Sequence, residues 1–252
     1  MNFFAKIEVE EAFDAFGTAH ITALCIMLAI IALLVIFKNK INANQKASNT
    51  IRYTIAIIFI LQQIAFTTWK IAIGEYQLSE ILPCHLCAIT IYMSVYSLLS
   101  RDKRLYPLIY FTGFCGALQA LLTPSMSGYN FPHFRFFEYF TSHSTIIIVI
   151  VYFLITDGIQ IKAKEFIKSF LSLQVLGIFA MIVNLLTGGN YMFLAYKPDS
   201  SSVFNLLADW PYYILQLELV AFVFMAIFSV PYLIKYKKEF FNIKLSSNKK
   251  DK

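Results

Sequence analysis

Seven apolar stretches, each close to the length of a bilayer crossing, leave this chain little choice of fold. They occupy residues 19–37, 53–73, 81–99, 106–122, 137–155, 167–186 and 211–234, near the roughly 20 residues a helix needs to cross about 30 Å of hydrocarbon. Hydrophobic residues make up 58% of the chain and charged residues 14%, more apolar surface than a soluble fold can bury, so lipid must solvate much of it. The expectation is an all-α membrane protein of seven transmembrane helices. No Gly/Ser linker or internal repeat divides it, so residues 1–252 read as a single domain with an outer N-terminal segment (1–18) and a basic cytoplasmic tail (235–252).

Orientation follows from the basic residues, because short loops rich in Lys and Arg stay cytoplasmic. Loop one carries Lys38, Lys40, Lys46 and Arg52; loop three carries Arg101, Lys103 and Arg104; loop five carries Lys162, Lys164 and Lys168. With the lysines of the tail, 17 of the 21 basic residues fall on one side, leaving Lys6, Lys70, Arg135 and Lys197 for the other. The N-terminus therefore reads as outside and the C-terminus as inside, in the cell membrane. The net charge of +6 is then a topology signal and an attraction to anionic lipid heads, and nucleic-acid binding is not expected. Residues 1–18 hold Glu8, Glu10, Glu11 and Asp14 with one lysine. That is the wrong charge for the start of a cleaved signal peptide, so the first span is expected to be retained, with residues 3–16 as a short helix on the outer surface.

All four histidines lie at the end opposite the lysine-rich loops. His20 begins span one, Lys70 sits in the last outer turn of span two, His85 opens span three, His143 lies in the outer half of span five, Asn190 follows span six, and Glu218 lies two turns into span seven. Ionisable groups in hydrocarbon cost at least about 2.5 kcal/mol each unless they face a cavity or a partner. Several at one depth point to a shared polar pocket, the alternative being residues that snorkel to the interface.

Leu82-Pro83-Cys84-His85-Leu86-Cys87 places a proline at a helix start, where its missing N–H is tolerated, and two thiols and an imidazole in the first turn. Unpaired N–H groups there favour negative charge and would activate a thiolate. Cys84 and Cys87 share a face at i, i+3 while His85 points away, so a base must come from another span: His143 first, His20 in reserve. Three readings stand open: cysteines as small apolar packers, as Cys25 and Cys115 are in mid-span; a two-Cys, two-His zinc site, which ligands on distant helices make a poor match; and nucleophilic or redox chemistry. Pro83-Cys84-His85-Leu86-Cys87 resembles the bacterial membrane disulfide oxidase over about five residues. That family adds a second cysteine pair in an outer loop, which this chain lacks.

A wider resemblance runs through the chain. Phe16-Gly17-Thr18-Ala19-His20, Leu82 to Cys87, Gly189-Asn190-Tyr191-Met192-Phe193-Leu194 with Lys197-Pro198, Trp210-Pro211-Tyr212-Tyr213 and His143 together resemble the YwaF family of bacterial integral membrane proteins. That family is remotely similar to the eukaryotic transmembrane protein 164 group, which transfers acyl chains onto ether phospholipids with a cysteine and a histidine. The resemblance implies His143 as the histidine and Cys84 or Cys87 as the cysteine. The expected activity is a Cys/His-dependent lipid acyltransferase or hydrolase at the outer leaflet, needing no metal or cofactor and with membrane lipids as partners. His20, His85, Lys70, Asn190 and Glu218 are the expected supporting residues, Asn190 or backbone N–H groups serving the oxyanion. A small-solute transporter with an outward vestibule, a thiol–disulfide oxidoreductase and a receptor without catalysis are the alternatives.

Overall fold

The computed structural model describes residues 3–7, 13–126, 128–159, 161–197 and 206–250, of which 235–250 by backbone alone. Every regular element among them is helical: α1 (Thr18–Ile36), α2 (Lys38–Ala43), α3 (Gln45–Ala72), α4 (Leu78–Ile81), α5 (Leu86–Ser100), α6 (Tyr106–Gly113), α7 (Gln119–Leu122), α8 (Phe134–Thr156), α9 (Ala163–Thr187) and α10 (Tyr212–Lys250). A π-helical turn, Phe114–Leu118, joins α6 to α7, and a 3₁₀ turn, Tyr191–Phe193, follows α9. α1, α3, α8, α9 and the Tyr212–Ile234 part of α10 are long and apolar enough to cross a membrane. Leu86–Ser100 and Tyr106–Leu122 are apolar but shorter, roughly 23 and 26 Å at 1.5 Å per residue.

The shortness of α5 corrects the expected helix start. Leu82 and His85 are both extended, with ψ of 141° and 145°. Proline disfavours the α region for the residue before it, so the chain leaves α4 at Leu82 and re-enters helix only at Leu86. Cys84 and His85 are therefore not in a first helical turn, and Cys84 does not share a helix face with Cys87. The expected N-terminal helix is not found either: residues 3–7 and 13–17 form turns and irregular backbone, and the rest of that segment, including Glu8, Glu10 and Glu11, lies outside the described residues.

α8 is the axis of the bundle. Two-thirds of its apolar window is buried (67%), against 11–22% for the other four long helices, and it packs on α1, α3, α5 and α6. A side chain at Gly113 would place its Cβ 2.4 Å from Ile150 Cδ1 and 2.8 Å from Ile146 Cγ2, so glycine lets α6 press directly against α8.

The two ends of the bundle are closed by different chemistry. At the lysine end, Arg52 is buried in α3 instead of lying in a solvated loop, its side chain 4% exposed. Its Nη2 donates to Asp157 Oδ2 at 2.7 Å and Nη1 to the Leu98 carbonyl at 3.4 Å. The Tyr106 hydroxyl donates to the same Asp157 oxygen at 2.6 Å, and Lys103 Nζ reaches the Asp157 carbonyl at 3.1 Å. Guanidinium suits this position because its fork satisfies two acceptors at once. At the histidine end, Trp69 Nε1 donates to the Phe4 carbonyl at 2.9 Å. There Lys70 bridges Glu75 and Glu80 at 2.6 and 3.0 Å, and Lys6 adds a second cation to Glu75 at 3.0 Å. Burial alone would raise the Glu75 pKa, but the hydrogen bonds from Lys70 and Lys6 outweigh it and hold the carboxyl below its ordinary range.

Candidate functional site

The four histidines separate cleanly by which ring nitrogen keeps its lone pair. A backbone N–H can only donate and a carbonyl can only accept, so the partners dictate the tautomers. His20, 1% exposed, accepts from the Phe16 N–H at Nδ1 (2.9 Å) and donates from Nε2 to the Leu121 carbonyl (2.8 Å). It ties the start of α1 to the end of α7, inside a ring of Phe13, Phe16 and Phe140. His133 caps α8 by accepting from the Arg135 N–H at 3.0 Å and donates to the Ala5 carbonyl at 2.9 Å. Burial, with Arg135 nearby, holds the His133 pKa below the ordinary imidazole value. His85 accepts from the Met192 N–H at 3.3 Å and packs against Tyr191 and Phe193.

His143 alone is reversed. Its Nδ1 lies 2.8 Å from the Tyr139 carbonyl, one turn back on α8, and 3.1 Å from Ser142 Oγ. Nδ1 must therefore carry the proton, and Nε2 holds a lone pair with no donor on it among the described residues. A backbone carbonyl on one ring nitrogen is the usual way a protein orients an imidazole whose other nitrogen works.

Around His143 the bundle gathers groups from α3, α5, the π turn and α8. The Tyr139 ring packs on the His143 ring, tilted by 36° at 4.3 Å between centroids, while its hydroxyl donates to the Ala120 carbonyl at 3.0 Å and the residue lies in electrostatic range of the Cys87 thiol. Cys87 faces the π turn, where a Cβ on Gly116 would come within 3.1 Å of its Sγ. A glycine there leaves the thiol its room, and π turns recur at functional sites. No hydrogen bond joins Cys87 to His143; Tyr139 packs on the imidazole and lies within electrostatic range of the thiol.

Arg135, within electrostatic range of His85 and His143, forms an ion pair with Glu138. Its guanidinium lies over the Phe66 and Tyr139 rings at 4.9 and 5.4 Å. Glu138, with a side chain 5% exposed, also accepts from Gln62 Nε2 at 2.6 Å. The Gln62 Oε1 is buried with no hydrogen-bond partner. In such a pair each charge compensates for the hydration its partner has lost, so removing one leaves the other uncompensated. Sequence reasoning passed over it because Arg135 reads as a loop cation. The available signal was Arg135-x-x-Glu138, an i, i+3 pair at the head of an apolar run, with Gln62 inside another.

The remaining expected residues lie elsewhere. Cys84 is buried with Ala180, Val183 and Tyr191, against Leu82, Met192 and Leu194. Asn190 spends its amide on its own loop, donating to the Tyr196 carbonyl at 2.7 Å and accepting from the Ala195 and Tyr196 N–H groups. The Glu218 carboxylate takes a hydrogen bond from Gln174 Nε2 at 2.5 Å, pairing α10 with α9. Lys70 is committed to Glu75 and Glu80. The loop after α9 is fastened by Tyr191, whose hydroxyl donates to the Leu78 carbonyl (2.7 Å) and accepts from the Leu82 N–H (2.9 Å). Asn184 grips both backbone groups of the same tyrosine.

Residues 15–229 match a family model, that of the TMEM164 family. The chain belongs to the TMEM164 family. TMEM164 membership together with the membrane-length helices makes it a multi-pass membrane protein. The stretch matched to the TMEM164 family contains Gln62, Cys84, Cys87, Gly116, Arg135, Glu138 and His143. No match is found among curated proteins or among solved structures.

Proposed function

We propose that the chain crosses the cell membrane seven times, N-terminus outside, and transfers or hydrolyses an acyl group of a membrane lipid near the outer face. The shorter helices α5 and α6–α7 complete the seven crossings, and the lysine end is cytoplasmic. The motif resemblance to bacterial YwaF-like proteins supports the same assignment. Cys87 is the nucleophile and His143 the base. One observation carries this reading: the tautomer imposed by the Tyr139 carbonyl leaves His143 Nε2 as an unspent base, packed on a tyrosine that lies within electrostatic range of the Cys87 thiol.

In the first half-reaction Cys87 Sγ forms a bond to the ester carbonyl carbon and its proton passes to His143 Nε2. The carbon–oxygen bond of the ester then breaks, and the leaving alcohol takes that proton. An acceptor hydroxyl, from water or a second lipid, forms a bond to the thioester carbon as His143 again receives the proton; the carbon–sulfur bond then breaks, and the leaving thiolate of Cys87 takes that proton back from His143. Arg135 supplies the charge that favours the oxyanion, a role Asn190 cannot fill while its amide is held by its own loop. Thiol and imidazole close to hydrogen-bonding distance when substrate enters, as catalytic contacts commonly do.

The alternatives have less support. A solute path would have to break the Arg52–Asp157–Tyr106 cluster at the lysine end, and a dithiol couple would need Cys84 and Cys87, both free, to leave separate apolar surroundings.

The test uses the full chain in proteoliposomes with a phosphatidylcholine carrying an alkynyl acyl chain. Hydroxylamine-sensitive label is expected on Cys87, absent in Cys87→Ala, unchanged in Cys84→Ala, and formed roughly 10²–10⁴-fold more slowly in His143→Asn. Label on Cys84 instead, or His143→Asn labelling at the wild-type rate, would overturn the assignment.

A further inference from the structure

A groove of about 480 Å³ opens on the flank of the bundle between α6 and α9, lined by Leu108, Lys168, Leu171, Ser172, Val175 and Leu176. None of its lining residues is among those gathered around His143. Leu171 and Val175 are 57% and 65% exposed, as lipid-facing residues are. The two polar residues of the lining have no side-chain partner among the described residues. Lys168 forms no ion pair among the described residues, and the Ser172 hydroxyl has no hydrogen-bond partner among them. The nearby acid does not answer Lys168, because Glu165 pairs with Lys164 at 3.7 Å. Lys162 is likewise without an ion-pair partner among the described residues.

The placement along α9 is ordered. Lys164, Lys168, Leu171, Ser172 and Val175 recur at helical spacing on one face. The cation stands nearest the helix start and the hydroxyl about one turn (roughly 6 Å) further along, with Leu171 beside the hydroxyl and Val175 and Leu176 beyond it. That sequence of cation, donor and hydrocarbon is the inverse of a phospholipid read from its head: phosphate, glycerol ester, chain.

We infer that this groove binds one anionic phospholipid, its phosphate on Lys168, an ester carbonyl accepting from Ser172, and an acyl chain along Leu108, Leu171, Val175 and Leu176. Excess positive charge from Lys162, Lys164 and Lys168 over Glu165 selects a net-negative head. The amine of a zwitterionic head would meet these lysines unfavourably. Basic recesses between helices on the positive side of a membrane protein are suited to such heads. This inference does not rest on the proposed acyl chemistry.

Native mass spectrometry of the purified full chain with equal phosphatidylglycerol and phosphatidylcholine tests it. Wild type is expected to keep a single phosphatidylglycerol adduct in preference to phosphatidylcholine. Lys168→Gln should lower its abundance about fivefold, as expected for one lysine beside an anionic head, with Lys168→Arg preserving it. Val175→Trp, which fills the groove, should remove the adduct. Lys38→Gln, an exposed lysine at the same end of the bundle, should change nothing. Equal retention of the two lipids, an equal effect of Lys38→Gln and Lys168→Gln, or no effect of Lys168→Gln and Val175→Trp would each overturn the site.

Discussion

The Arg135–Glu138 pair illustrates how one residue's neighbours decide what a charge is for. Glu138 is taken from water and Arg135, its side chain 25% exposed, largely so, and each is tolerable because the other is there, with Gln62 and two aromatic faces adding to the pair. Glu138→Ala would leave the half-buried Arg135 uncompensated, a loss of up to about 3 kcal/mol, the lower end for a buried pair because the guanidinium keeps some water. Thermal unfolding of the purified protein should show a large fall in Tm, and Arg135→Met with Glu138→Leu should recover most of it. An unchanged Tm in Glu138→Ala would mean the pair is solvated. This level was the least legible in the sequence. Composition and depth grouped polar residues at the histidine end, His143 among them. They could not say that His20, His85 and His133 spend their lone pairs on backbone N–H groups, because that depends on which loop folds over which ring. Arg52 and Arg135 both read as loop cations, since sequence position near a span end does not report burial.

Among elements, α5 and the π turn together set the position of the Cys87 thiol. Pro83 delays the start of α5, which sends Cys84 into the cluster beside Tyr191 while Cys87 turns inward. The spacing Cys-x-x-Cys therefore misled, because it suggests a shared face only if the helix has already begun. The apolar stretches themselves were readable, as five of the seven became helices of membrane length and two became shorter ones. Gly116 gives a direct check on the packing. Gly116→Val would drive side-chain atoms into the Cys87 sulfur, and displacement of that thiol should lower acyl labelling at least tenfold while the protein stays folded. Gly113→Ala meets the tips of Ile146 and Ile150 and should cost about 1–3 kcal/mol through overpacking, read as a lower Tm with labelling retained.

For the whole molecule, the separation of lysines from histidines becomes a statement about two unlike ends. A single cysteine at Lys40 should react with an impermeant maleimide only after lysis, and one at Tyr76 should react in intact cells. The opposite pattern would invert the proposed orientation. The histidine end is also acid-sensitive. Because the folded-state pKa of Glu75 is depressed, its contribution is fully present above about 4.5 and is lost as pH falls through the lower folded value. Tm should therefore drop on acidification below that point, and Lys70→Met should flatten the drop. Finally, α8 carries Arg135 and Glu138 near its first turn and ends at Asp157, so one rod is keyed to its neighbours at both tips. Inserting a single residue midway would twist one tip about 100° against the other, and the protein could then seat the guanidinium of Arg52 or the amide of Gln62, but not both.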